Sequence, residues 1–195
     1  MSQQNKFFET IKIDSGKIFN LDYHQKRVAN AFSHFFPDRK AFVLKDFLCD
    51  NFQTLTRAKV VYNEESIEVF YFDYKPKIIN TISFVDAKEI RYDFKFYDRS
   101  EIELLSTSKK TDEILIFRNG LLCDSSIANV AILTDGIWLS PKNPLLFGTT
   151  LSRYSELGLI KFAEITKSMV IEAEKIAFLN AMIDMKIYER LEILC

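Results

Sequence analysis

Residues 112–133 read DEILIFRNGLLCDSSIANVAIL. Apolar runs stand on either side of Asn119-Gly120, and Asn-Gly in that setting is the strongest short signal for a tight hairpin. The stretch therefore predicts a strand up to Arg118, a two-residue turn, and a second strand from Leu121. The continuation, ANVAILTDGIWLS, predicts a second hairpin around Asp135-Gly136.

Toward the N-terminus, FFETIKIDSGKIFNL predicts two strands around an Asp14-Ser15-Gly16 turn. In NLDYHQKRVANAFSHFF, Val28, Ala31, Phe32 and Phe35 fall on one helical face. Asn20 or Asp22 is the candidate cap, and Pro37-Asp38 the stop. A second helix is expected over Lys40–Phe52. RAKVVYNEESIEVFYFDY predicts a hairpin turning at Asn63-Glu64-Glu65, and IINTISFV another strand. The first half thus has the pattern of an α+β fold with an antiparallel sheet. The polar stretch Asp86–Lys95 is the expected link between two lobes, residues 1–90 and 91–195. Beyond the two hairpins, a helix is expected from near Thr149, and Lys167–Leu194 mixes helix and strand.

Composition narrows the function classes. With 195 residues and 48% hydrophobic content the chain can bury a real core. A net charge of -1 gives no global field for nucleic acid or an anionic membrane. Three scattered cysteines and two histidines argue against a disulfide framework or a zinc site. There is no phosphate loop, no G-x-G-x-x-G, no G-x-S-x-G and no H-E-x-x-H. The N-terminus lacks a charged segment followed by an apolar run, and no stretch reaches the roughly eighteen apolar residues of a membrane span. A reducing cytoplasm is the expected compartment.

Four separated pieces, FFETIKIDSGKIFNLDYHQKR, FKFYDRSEIELL, DEILIFRNGLLCDSSIANVAIL and WLSPKNPLLFGTTLSRYSELG, resemble the class IV aminotransferase family in its own order. EKIAFLNAMIDM is a fifth, weaker piece. These are pyridoxal 5'-phosphate enzymes that include branched-chain and D-amino-acid aminotransferases and aminodeoxychorismate lyase. The resemblance implies the two-lobed α+β architecture of fold type IV, here with a truncated N-terminal lobe. It also implies a homodimer and a small amino substrate.

The family holds its cofactor as a Schiff base on a lysine that later moves protons. Lys95-Phe-Tyr-Asp-Arg99 matches the Lys-x-x-x-Arg segment of the lyase-like members, so the resemblance assigns Lys95 as the catalytic residue. Phe94, Phe96 and Tyr97 would give an apolar surround, and Arg99 a positive potential. From residue types alone, Lys95 is a strand lysine reaching past aromatics to water. Lys109 and Lys110 lie in an expected solvated loop.

The resemblance also implies a carboxylate for the pyridine nitrogen. Asp124, five residues before Asn129, takes that place, where the family usually has Glu. Taken alone, Asp124 is a turn or cap residue. For the phosphate, the resemblance implies Arg27, with Gly148, Thr149 and Thr150 at a helix start. Leu151 stands where the family usually has arginine. Asn129 and, less directly, Asn180 are further candidates beside the cofactor. The implied function is transfer of an amino group between an amino acid and a 2-oxo acid through a Lys95 aldimine. Alternatives are pyruvate elimination giving 4-aminobenzoate, as in aminodeoxychorismate lyase, and a non-catalytic binding protein.

Overall fold

The computed structural model of the chain describes residues 5–194. The fold is mixed α and β and divides into two compact units, Met1–Pro76 with Phe94–Asp98 and Lys77–Asp93 with Arg99–Cys195. The chain passes from one unit to the other three times.

The smaller unit is built on a sheet of order β2-β1-β3-β4. Its strands are β1 (Phe7–Asp14), β2 (Lys17–Ile18), β3 (Thr56–Tyr62) and β4 (Ile67–Asp73), all antiparallel to their neighbours. Ser15 and Gly16 take positive φ, which gives the two-residue turn its hand. Asn63 Oδ1 accepts the Glu65 and Ser66 N–H groups and closes the β3–β4 turn. Helix α1 (Leu21–Phe35) buries Val28, Ala31 and Phe32 with Phe7, Ile11 and Ile13 of β1. Asn20 caps α1 through its backbone, in the left-handed region, with no side-chain cap bond. Phe94–Asp98 lies along the start of β1: Phe96 bridges Phe7, Phe8 N–H donates to Lys95 O at 3.0 Å, and Tyr97 N–H to Lys6 O at 2.8 Å.

The helix expected over Lys40–Phe52 does not form. Only Leu44–Phe47 makes a single 3-10 turn. The cause is Gln25 on α1, whose side-chain amide donates to Phe42 O at 2.8 Å and accepts from Leu44 N–H at 2.8 Å. Those backbone groups are held by a side chain instead of a helical ladder, and Leu44 is driven into the core.

The larger unit holds two sheets. One has the order β13-β5-β6-β7 and the other β10-β9-β8-β11-β12. Strand β5 (Thr81–Asp86) is parallel to β6 (Glu113–Arg118), and α2 (Ser100–Thr107) lies between them in sequence. The Asn119-Gly120 turn joins β6 to β7 (Leu121–Ser125), with both turn residues at positive φ. The Asp135-Gly136 turn joins β8 (Asn129–Thr134) to β9 (Ile137–Pro141) in the same way. Helix α3 (Thr149–Glu156) leads to β10 (Lys161–Ala163), which is parallel to β9. Helix α4 (Lys167–Glu172), β11 (Lys175–Asn180), β12 (Asp184–Tyr188) and β13 (Glu192–Leu194) complete the order. The main core joins Leu115 and Phe117 of β6, Val130 and Ile132 of β8, and Phe178 of β11.

A β-bulge places Asp124. Ile116 pairs with Asp124 but Phe117 with Leu122, so Cys123 is an extra residue on β7. Such an insertion re-aims the side chains that follow it. Among the described residues no helix is long and apolar enough to cross a membrane.

Phe7 is the centre of the aromatic core of the smaller unit. Its ring lies 5.0 Å from Phe35, 5.6 Å from Tyr62 and 5.2 Å from Phe96, centroid to centroid. Phe7→Ala should lower unfolding free energy by about 3–5 kcal/mol in urea denaturation. A loss below about 1 kcal/mol would show that the surrounding rings hold the unit without it.

Candidate active site

Strand β1 sends alternate residues to the core, and Phe7, Glu9, Ile11 and Ile13 all have 0% exposure. A carboxylate in that row needs partners. Glu9 finds them on α1, where His24 and Arg27 sit three residues apart on one face. Arg27 donates from Nε to Glu9 Oε1 at 2.8 Å and from Nη2 to Oε2 at 2.5 Å, a two-pronged pair. His24 Nδ1 lies 2.6 Å from Glu9 Oε2. Burial alone would raise the Glu9 carboxyl, but Arg27 and His24 outweigh it and bring it from an ordinary 4.5 to about 2. Burial holds His24 below its ordinary 6.5, against the pull of Glu9. Arg27, the expected phosphate arginine, is thus anchored on a buried carboxylate. Glu9 itself was not singled out from the sequence. The signal was there: a lone acid at core parity in Phe-Phe-Glu-Thr-Ile-Lys-Ile.

Lys95 belongs to the same unit. Phe94 packs on Phe35 and Phe96 on Phe7, and Lys95 between them alternates to the other side. It is half-buried, with Nζ 4.6 Å from the centroid of the Phe8 ring. Lys59 approaches the same ring at 5.5 Å. Lys109 and Lys110 follow α2 in a turn region, Lys110 exposed and Lys109 half-buried.

The larger unit gathers Asp124, Asn129, Gly148, Thr149 and Thr150. Asp124, near the end of β7, is 5% exposed. Its Oδ1 accepts from Asn129 Nδ2 at 2.6 Å and its Oδ2 from Leu146 N–H at 3.0 Å. Asn129, the first residue of β8, also donates from Nδ2 to Leu146 O at 2.7 Å and accepts Gly148 N–H on Oδ1 at 3.0 Å. A Cβ on Gly148 would stand 2.2 Å from Asn129 Oδ1, so the approach requires glycine although its φ is ordinary. Thr149 and Thr150 open α3 and are buried. The first N–H groups of a helix have no partner within it. Thr150 Oγ1 is also buried, with no hydrogen-bond partner among the described residues.

A second buried acid holds the turn that follows Asp124. Glu113, which opens β6, accepts Ser126 N–H at 3.0 Å and the Ser126 hydroxyl, with Lys77 Nζ 3.5 Å from its other oxygen. Arg99 donates to the Ser126 carbonyl from the other direction. Neither link was legible from the sequence, because both reach across 27 residues or fewer to a turn whose shape is set by the strands around it. Asn180 Oδ1 accepts the Met182 and Ile183 N–H groups in the β11–β12 turn, and its Nδ2 donates to Ile127 O at 3.3 Å, in the turn between Asp124 and Asn129.

No family model matches the sequence. The chain is 32% identical over 181 residues to an uncharacterized protein of Haemophilus influenzae, covering 90% of this chain and 96% of that one. A solved structure of a provisionally assigned 4-amino-4-deoxychorismate lyase from Haemophilus somnus is 32% identical, with a TM-score of 0.83. The match covers 93% of this chain and 98% of that one. The chain belongs to the class IV aminotransferase family. The pyridoxal-phosphate-bound form of a hypothetical aminotransferase from Mycobacterium tuberculosis shares the fold, with a TM-score of 0.79 at 13% identity over 98% of this chain and 84% of that one.

The residues present fit the cofactor of this family. The orphaned Thr150 hydroxyl and the free first turn of α3 are donors for a phosphate. Gly148 lets the chain pass close to Asn129 on its way into α3, and Asp124 offers a buried carboxylate for a ring N–H.

The buried trio gives the family member a defined acid response. The His24 contribution to stability is complete above 6.5 and is lost as pH falls toward its lowered folded value. The Glu9 contribution is complete above 4.5 and is lost as pH falls through about 2. The Glu9 share is of the order of 3 kcal/mol. The thermal midpoint should therefore drop in two stages on acidification, and Glu9→Gln should shrink the lower stage, to which Asp112 also contributes. A wild-type midpoint that stays level from neutral pH down through both windows would contradict the ion pairing.

Proposed function

We propose that the chain is a pyridoxal-phosphate enzyme that takes the proton from the amino-bearing carbon of a small substrate. The reading rests on the 32% identity to the provisionally assigned lyase, which runs across 93% of this chain. Arg27, the Thr149 and Thr150 backbone and the Thr150 hydroxyl would hold the phosphate, and Asp124 the ring nitrogen. Lys95 would attach the cofactor and then carry the proton on Nζ. When bound, the cofactor supplies an electron sink for the pair left by the departing proton.

Arg27 suits its part because Glu9 orders its guanidinium in a fixed plane before any ligand arrives. Lys95 suits its part because it is half-buried beside the Phe8 ring, on a segment pinned to Phe8 and Lys6 by backbone bonds at Lys95 and Tyr97. A base on a rigid support stays within reach of its proton. A homodimer is part of the same reading.

Two outcomes follow from the shared first step. If the next carbon carries a leaving group, its expulsion releases pyruvate and leaves 4-aminobenzoate from aminodeoxychorismate. The similarity to the provisionally assigned lyase and the Lys95-x-x-x-Arg99 spacing favour this outcome. If the proton is returned elsewhere, the amino group is transferred to a 2-oxo acid. Purified protein supplied with pyridoxal phosphate should release pyruvate from aminodeoxychorismate, and Lys95→Ala should lower the rate by about a thousandfold or more. Amino transfer without pyruvate would select the aminotransferase. Cofactor binding with neither activity would select a binding protein.

A further inference from the structure

We propose that Asn129 is a positioning residue: it sets the start of α3 against Asp124 and does not itself touch the cofactor. The inference rests on the cofactor reading above and concerns how the larger unit measures the ligand.

Both N–H bonds of the Asn129 amide are spent inside the protein, one on Asp124 Oδ1 and one on Leu146 O. Its oxygen accepts Gly148 N–H. Leu146 is held twice, its N–H on Asp124 and its carbonyl on Asn129. The residue two positions on, Gly148, is drawn so near Asn129 Oδ1 that a Cβ there would stand 2.2 Å away. Thr149 and Thr150 follow directly and begin α3. The distance from the Asp124 carboxylate to the first turn of α3 is therefore fixed by hydrogen bonds that converge on one side chain.

The Asn129 end is itself immobilised. Ser125 N–H and Oγ both bond to Ala128 O at 3.0 Å, and Glu113 holds Ser126. A short ligand with a ring N–H at one end and a dianionic phosphate at the other binds best when both acceptor and donors are already at the right separation. Without the Asn129 amide, Asp124 keeps the Leu146 N–H. The Gly148 N–H and Leu146 carbonyl lose their partners, and the start of α3 is freed. The phosphate end should suffer and the ring end should not.

The test compares two ligands on the folded protein, followed by absorbance titration: pyridoxal 5'-phosphate and pyridoxal, which lacks the phosphate. Asn129→Ala should weaken pyridoxal phosphate by about tenfold or more, the scale of one hydrogen bond to a charged group. Its affinity for pyridoxal should stay within about twofold of wild type. An equal loss for both ligands would overturn the inference, because it would mean direct contact or general loosening. No loss for either would overturn it too. Where Asn129→Ala does not give folded protein by circular dichroism, Asn129→Ser is titrated in its place with the same criteria. Failure of the wild type to bind pyridoxal phosphate would instead refute the cofactor reading, and is distinguished by occurring without any substitution.

Discussion

The hydrogen bond from Asn129 Nδ2 to Asp124 Oδ1, 2.6 Å long, closes the turn between β7 and β8. The same amide also holds the Leu146 carbonyl and the Gly148 N–H, at the entry to α3. A buried carboxylate and a buried amide must each find partners, since an unpaired polar group away from water costs about 1–3 kcal/mol. Asp124 and Asn129 meet that demand with each other and with the backbone of Leu146 and Gly148. The chain between β9 and α3 is thereby tied to β7 and β8 at Leu146 and Gly148. Glycine at 148 is what lets the chain pass so near the amide.

The smaller unit meets the same constraint in another way. Burying one carboxylate alone is prohibitive, and removing one partner from such a pair is strongly destabilising. Glu9 is flanked in its strand by Phe7 and Ile11 on the same face, so its partners must come from the layer packed against the sheet. His24 and Arg27 supply them, on the same side of α1 as Val28 and Ala31. The polar pair and the apolar stripe therefore select one rotation of the helix about its axis. An arginine that would be mobile on an exposed helix becomes a fixed donor.

The hairpins were legible because Asn119-Gly120 and Asp135-Gly136 carry their turn geometry in their own residue types. Helix α1 was legible through its apolar spacing. The segment 40–52 was not, because its apolar residues suit a helix while its backbone is captured by Gln25, a residue in another element. The same limit applies at the site. Asp124, Asn129 and the Gly148-Thr149-Thr150 start of α3 came from the family resemblance, and the bonds among them follow from strand register. The Cys123 bulge, which offsets that register next to Asp124, has no local signature. Glu9 is hard to read because a lone acid among apolar residues resembles a surface position until its partners are known, and Glu113 because, next to Asp112, it resembles the solvated start of a strand.

The central claim is that Lys95 is the point of covalent attachment for pyridoxal phosphate. The direct measurement is borohydride reduction of the protein after incubation with the cofactor, followed by digestion and mass spectrometry of the modified peptide. The expected result is one dominant phosphopyridoxyl group on Lys95, absent from Lys95→Ala. A modification centred on Lys109 or Lys110, or none that saturates, would contradict the claim.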